Sequence, residues 1–177
     1  DLNFYNCTFK NGGYTAFAAG AIDPIEMTFH DCKFITGANN GGALSFNVAR
    51  SKFFNCYFNG PISWSGYFSL NQSERALFDN CEFTDDPKVN PEWVANDNLI
   101  NLIHGVNPVF NNCVMNIYRK TGFYSDNGQA VANERFKVVP TEFNNFIINI
   151  YTNEDLNSRL SFAGVGTIRV RDFRTDM

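Results

Sequence analysis

Phe78-Asp79-Asn80-Cys81-Glu82-Phe83 is the stretch that decides the fold, because the chain repeats it. Phe4-Tyr5-Asn6-Cys7-Thr8-Phe9, Phe29-His30-Asp31-Cys32-Lys33-Phe34 and Phe53-Phe54-Asn55-Cys56-Tyr57-Phe58 precede it. Phe110-Asn111-Asn112-Cys113-Val114-Met115 and Phe143-Asn144-Asn145-Phe146-Ile147-Ile148 follow it. The Cys residues stand at 7, 32, 56, 81 and 113, so most intervals are 24 or 25 residues. A fixed period of this size marks a solenoid. Within the phrase, positions 4 and 6 alternate as a strand requires, while positions 1 and 4 have opposite parity. The chain therefore changes phase at the Asn or Asp in position 3, a residue type that tolerates left-handed torsions. The phrase reads as strand, one-residue bend, strand. No segment shows sustained 3.6-residue periodicity with helix caps. About 24 residues per turn, holding three short strands, is the form of a parallel β-helix with coils about 4.8 Å apart.

Composition agrees. The chain has 177 residues, enough for one domain with a real core, and 19 are Phe, which opposes disorder. With Lys+Arg 14 against Asp+Glu 18 and a pI near 5.1, it offers no basic nucleic-acid surface. No apolar run approaches the length of a membrane-spanning helix. Asp1-Leu2-Asn3 shows no signal-peptide character and no initiator Met, so a processed or partial chain is expected.

These residues carry a resemblance. The pattern is similar to the right-handed parallel β-helix superfamily typified by pectate lyases, in which Asn at the bend between two strands stacks into a ladder. Asn6, Asp31, Asn55, Asn80, Asn112 and Asn145 match that ladder. The chain most resembles polymorphic outer membrane protein-like repeats, with their Gly-Gly-Ala-Ile/Leu and Phe-x-x-Asn motifs. Gly41-Gly42-Ala43-Leu44 matches the first, Asn11-Gly12-Gly13-Tyr14 matches it in part, and the second is shifted to Phe-x-Asn-Cys. The resemblance covers about residues 3–150. It implies an all-β, single-stranded right-handed parallel β-helix of about six to seven coils, one domain over 1–177, with 150–177 as a terminal coil or cap.

A third strand per coil is expected at Gly13–Phe17, Ala43–Phe46, Tyr67–Leu70, Leu99–Leu102 and Arg135–Val138, from spacing to the next phrase. Two intervals exceed the period. The extra residues are assigned to about 84–98 and 116–134, as neighbouring loops at one corner, where binding faces often form. They offer Asp85, Asp86, Trp93 and Asp97, and then Tyr118, Arg119, Lys120, Tyr124 and Asp126. Trp93, Tyr118, Arg119 and Tyr124 form the candidate ligand face, suited to sugars. The competing expectation is that Trp93 simply packs over loop-exposed core.

Cys7, Cys32, Cys56, Cys81 and Cys113 should form an inward column. Parallel side chains bridge poorly, Phe146 replaces the sixth, and no Cys-x-x-Cys pair suits zinc. They read as reduced space-fillers. Sugar-cleaving β-helices display carboxylates with basic groups on an exposed strand face, but the matching positions here, Thr15, Ser45, Ser69 and Asn101, are small and neutral. Asp85-Asp86 precedes Pro87 and reads as a turn; His30 and His104 lack periodic acid partners, with His30 expected to be solvated. No catalytic residue, cofactor or metal ligand is therefore assigned. Asn6-Cys7-Thr8 and Asn71-Gln72-Ser73 fit the glycosylation pattern, a faint signal in a chain with 25 Asn.

The expected role is a non-enzymatic structural or adhesive segment of a larger extracellular or cell-surface protein or filament. Its expected partners are further coils or subunits at an uncapped N-terminal end, with glycans or host-cell proteins as possible ligands. The alternatives are a carbohydrate-binding or carbohydrate-active β-helix and a scaffold inside an intracellular assembly.

Overall fold

A computed structural model describes residues 2–10, 15–19, 26–36, 42–46, 51–65, 76–91, 99–103, 108–119, 121–125, 141–153, 160, 162 and 164–173. Each phrase forms two strands split at its third residue. They are β1 (Leu2–Tyr5) and β2 (Thr8–Lys10), β4 (Met27–His30) and β5 (Lys33–Ile35), β7 (Lys52–Phe54) and β8 (Tyr57–Asn59). Next come β10 (Leu77–Asp79) and β11 (Glu82–Thr84), then β13 (Val109–Asn111) and β14 (Val114–Ile117). In the sixth phrase the two merge into β16 (Thr141–Ile150), and β17 (Gly164–Asp172) lies parallel beside it. Between the phrases lie β3 (Thr15–Ala19), β6 (Gly42–Phe46), β9 (Ile62–Ser65), β12 (Ile100–Ile103) and β15 (Phe123–Ser125).

All described pairings are parallel and sequential. One path runs β1-β4-β7-β10-β13-β16 and returns β14-β11-β8-β5-β2, joined because β16 passes through the bend; β3-β6-β9-β12-β15 forms the other sheet. The architecture is an all-β parallel solenoid.

The bends explain why these residues were needed. Asn6, Asp31, Asn55, Asn80, Asn112 and Asn145 all have positive φ, between 50° and 63°. Left-handed torsions cost an ordinary L-residue roughly 1–2 kcal/mol, and Asn or Asp least among side chains bearing a Cβ. Backbone pairing continues through the turn: Asn55 N–H donates to the Asp79 carbonyl at 3.0 Å, and Tyr57 N–H to the Cys32 carbonyl at 2.9 Å. The phase change therefore leaves the ladder intact.

Inside, Phe rings stack in register. Phe4, Phe29, Phe53, Phe78, Phe110 and Phe143 form one column, with neighbouring ring centroids 4.7–5.6 Å apart. Phe9, Phe34, Phe58 and Phe83 form a second at 4.8–5.2 Å, which Met115 and Ile148 continue in register. The two columns meet edge to face, as Phe53 and Phe58 do at 5.6 Å and 69°. Such contacts add about 0.5–1.5 kcal/mol each beyond area burial. From Cys32 to Cys113 the thiols are buried between the columns, and all five Cys are free.

Two expected third strands fall elsewhere. In the third coil the strand is β9, held by the register Leu44↔Ile62 and Ile62↔Ile100, while Tyr67–Leu70 lies outside the described residues. In the fifth it is β15, paired Ile100↔Phe123, while Arg135–Val138 also lies outside them. Spacing to the next phrase misleads wherever extra residues follow the third strand. The corner before β9 is only Gly60-Pro61, with Gly60 at φ 116° against Thr36, where a Cβ would strike the Thr36 methyl. It follows that the two long connections do not share a corner. One, 85–99, joins β11 to β12; the other, 126–140, joins β15 to β16, and the expected 116–134 insertion contains β15 itself.

Candidate functional site

The strongest cluster of polar side chains lies where β11 and β14 end. Asp85 follows β11 directly and is fully buried. Its Oδ1 accepts from the Tyr118 amide at 2.6 Å; its Oδ2 accepts from the Arg119 amide at 3.2 Å and the Thr121 hydroxyl at 2.6 Å. Burial pushes its carboxyl up, opposed by those donors and by the Arg119 charge. The next residue makes the turn: Asp86 Oδ1 accepts from the Lys88 amide at 2.8 Å. Asn90 closes it, donating to the Thr36 carbonyl at 2.8 Å, and Arg119 Nη2 donates to the Asn90 carbonyl at 2.6 Å. Arg119 thus clamps the 85–91 turn back across earlier coils. Every contact of Asp85 ties chain to chain, so its chemistry is that of an anchor.

On the outer face, Tyr118 stacks on Tyr151 at 4.7 Å and Tyr151 on Phe173 at 5.1 Å. Tyr118 is 38% exposed at one end of the stack. Asn116 Nδ2 donates to Glu82 Oε1, and Asn149 Nδ2 to Asn116 Oδ1, both at 2.8 Å. Burial, and then the neighbouring Tyr151, Asp86 and Glu82, raise the Tyr118 hydroxyl pKa.

Of the expected ligand face, Tyr118 and Arg119 are brought together, but Arg119 turns its guanidinium to the Asn90 carbonyl. Tyr124 sits on β15, in a row with Asn101, Ser63, Ser45 and Ala18 of the other sheet. This is the row that Thr15, Ser45, Ser69 and Asn101 were expected to form. Ser63 stands where Ser69 was expected and Ala18 where Thr15 was. Trp93, Asp97, Lys120, Asp126, Ser69, Asn71 and His104 lie outside the described residues. Among the described residues, no three His, Cys, Asp or Glu side chains converge as metal ligands.

Four ladder contacts are explicit at the bends and beside them. Asn55 Nδ2 donates to Asp31 Oδ1 at 3.3 Å, Asn80 Nδ2 to Asn55 Oδ1 at 2.7 Å, and Asn145 Nδ2 to Asn112 Oδ1 at 3.2 Å. Beside them, Asn144 Nδ2 donates to Asn111 Oδ1 at 2.9 Å. Each buried thiol lies near two carbonyls; for Cys81 these are Phe53 at 3.4 Å and Asp79 at 3.5 Å. Burial raises Cys32 and drives Cys81 well above the ordinary thiol range. Cys56 is lowered, chiefly by its hydrogen bond with the Cys81 side chain.

Two features escaped sequence reasoning. Asp85 carried no signal separating it from Asp86, since both read as turn residues before Pro87. His30 is half-buried rather than solvated, because its ring stacks between Tyr5 at 4.9 Å and Phe54 at 5.0 Å. The signal was present: Tyr5, His30 and Phe54 all occupy position 2 of the phrase. No protein-family model, curated protein or solved structure matches the chain.

Proposed function

We propose that the chain is a non-enzymatic structural segment of a larger surface protein or filament, extended by in-register stacking of coils. One observation carries this reading. Phe29, Phe53, Phe78 and Phe110 stack in one column at 4.7–5.2 Å, and Cys32, Cys56, Cys81 and Cys113 are buried beside them, so one phrase is laid on the next in the same register from coil to coil. A coil carrying the same phrase can therefore stack on β1 and β2 in the same register. Burying a large side chain stabilises by about 1.5–3 kcal/mol, so a matching coil gains much by settling there. The test adds a copy of residues 26–50 ahead of Asp1. The extra coil should raise the unfolding midpoint and shield Cys7 from alkylation; an unchanged midpoint with Cys7 still reactive refutes the stacking. Protease shaving and labelling of intact cells separates a surface location from the intracellular-scaffold alternative, which free thiols permit.

A second reading, carbohydrate binding, is favoured by one feature: the half-open Tyr118 stack beside the Glu82–Asn116–Asn149 ladder. A glycan array on the chain and its Tyr118→Ala variant tests it. Binding lost in the variant supports it, and no binding to any glycan refutes it.

A further inference from the structure

Four outward side chains next to that stack form a rectangle. Tyr57 and Asn59 lie two residues apart on β8, and Glu82 and Thr84 on β11, in the register Tyr57↔Glu82 and Asn59↔Thr84. Alternate residues share a face, so the corners are about 4.8 Å apart across the strands and about 6.6 Å along them. The 85–91 turn meets the Asn59–Thr84 side of this surface, where the Asp86 carbonyl accepts from Asn59 Nδ2 at 3.4 Å. Asn59 and Thr84 are 0% and 1% exposed although they point away from the Phe core.

Two oxygens at this place have no hydrogen bond: Asn59 Oδ1 and Thr84 Oγ1. The amide cannot be turned to remove the problem. Asn59 Nδ2 donates to the Asp86 carbonyl at 3.4 Å, and a carbonyl can only accept. It also lies 3.2 Å from Tyr57 Oη. The bare oxygen is therefore the acceptor Oδ1. Buried polar groups are paired in most folded proteins, and an orphan costs about 1–3 kcal/mol.

Two carboxylates lie close to the orphans. Glu82 is a corner of the rectangle and Asp86 is in its roof. Each has one carboxylate oxygen occupied, Glu82 Oε1 by Asn116 and Asp86 Oδ1 by the Lys88 amide. Both carboxylates act on the Tyr57 hydroxyl, whose pKa is raised by burial first and then by Glu82 and Asp86. The nearby guanidinium of Arg119 is directed to the Asn90 carbonyl, and its charge faces Asp85.

We propose that the space between Asn59, Thr84, Glu82 and Asp86, beneath the 85–91 turn, binds one hard divalent cation of the calcium class. The donors are all oxygen, two neutral and two from carboxylates, which is the ligand chemistry such cations take. Sulfur and imidazole ligands, which select softer metals, are absent from the four. Occupation joins the turn to β8 and β11, so the ion acts as a pin across coils.

The test is calorimetric titration of the chelator-treated chain with Ca²⁺, alongside thermal melts in Ca²⁺, Mg²⁺ and EDTA. A single saturable Ca²⁺ site that raises the melting midpoint is expected. Thr84→Val removes one oxygen without altering charge and should weaken affinity at least tenfold. Asn59→Asp adds a charge at the orphan position and should tighten it several-fold. An unchanged midpoint and no binding heat overturn the proposal and leave a buried water as the guest. Ca²⁺ binding of equal strength in Thr84→Val also overturns it, by assigning the ion to surface carboxylates. If Thr84→Val does not fold, the titration of the parent chain and of Asn59→Asp decides.

Discussion

Asn80 donates its side-chain amide to Asn55 Oδ1 at 2.7 Å across one coil, and both residues hold φ of 54°. The bond and the torsion are separable. Asn80→Ala loses both the rung and the tolerance for left-handed backbone, and should cost about 1–2 kcal/mol. Asn80→Gly loses only the rung and should cost less than Ala. Urea unfolding of the two variants checks the order; Ala equal to or better than Gly contradicts the role given to the bend.

The Phe columns predict a graded response. Phe78 contacts Phe53, Phe58, Phe83 and Phe110 and is 0% exposed. Phe78→Ala should therefore cost about 3–5 kcal/mol, the range for emptying a packed aromatic site. Phe4→Ala, at the half-buried end, should cost clearly less. Equal losses at the two sites would mean that the columns do not carry the stability.

Native-state thiol labelling should follow position in the column. Cys7 is half-buried, whereas Cys81 is 1% exposed and held protonated by burial. A neutral thiol is a poor nucleophile, so alkylation should mark Cys7 first and Cys81 only with unfolding. Mass spectrometry of partly labelled protein checks the order.

Asp85 gives a pH dependence of defined sign. Its folded pKa lies above 3.8, so the folded chain holds that proton more tightly than the unfolded chain. The contribution of this linkage is fully present below 3.8 and is lost as pH rises through the folded value. The stability of the parent minus that of Asp85→Asn should therefore fall across this window and then level off. Removing the carboxylate should itself cost about 1–3 kcal/mol near neutral pH, since Tyr118, Arg119 and Thr121 all donate to it. A difference that grows with pH would reverse the assignment.

The bends and inward columns were legible because each is set by a local rule repeated six times. Parity placed Phe78, Cys81 and Phe83 on one side, and side-chain type placed Asn80 at the bend. The third strands β9 and β15 were not legible, because their positions depend on which corner carries the extra residues. Pairing to neighbouring coils decides that, and Ile62 and Phe123 have no local phrase to announce them. The Asp85 anchor and the Asn59–Thr84 orphans were invisible for a related reason. Each arises where a turn folds back over coils distant in sequence, as Asn90 does when it reaches Thr36.

β17 departs from the pattern of the rungs before it. Gly166 stands over Phe143, Ile168 over Phe146 and Val170 over Ile148, so no ring continues the inward columns in β17. A Cβ at Gly166 would meet the Phe143 carbonyl oxygen, so no larger residue fits that backbone. Gly166, at φ 123°, also takes over the bend: β17 crosses it with one residue fewer than β16, so among the described residues the Asn ladder stops at Asn145 while backbone pairing goes on beyond it.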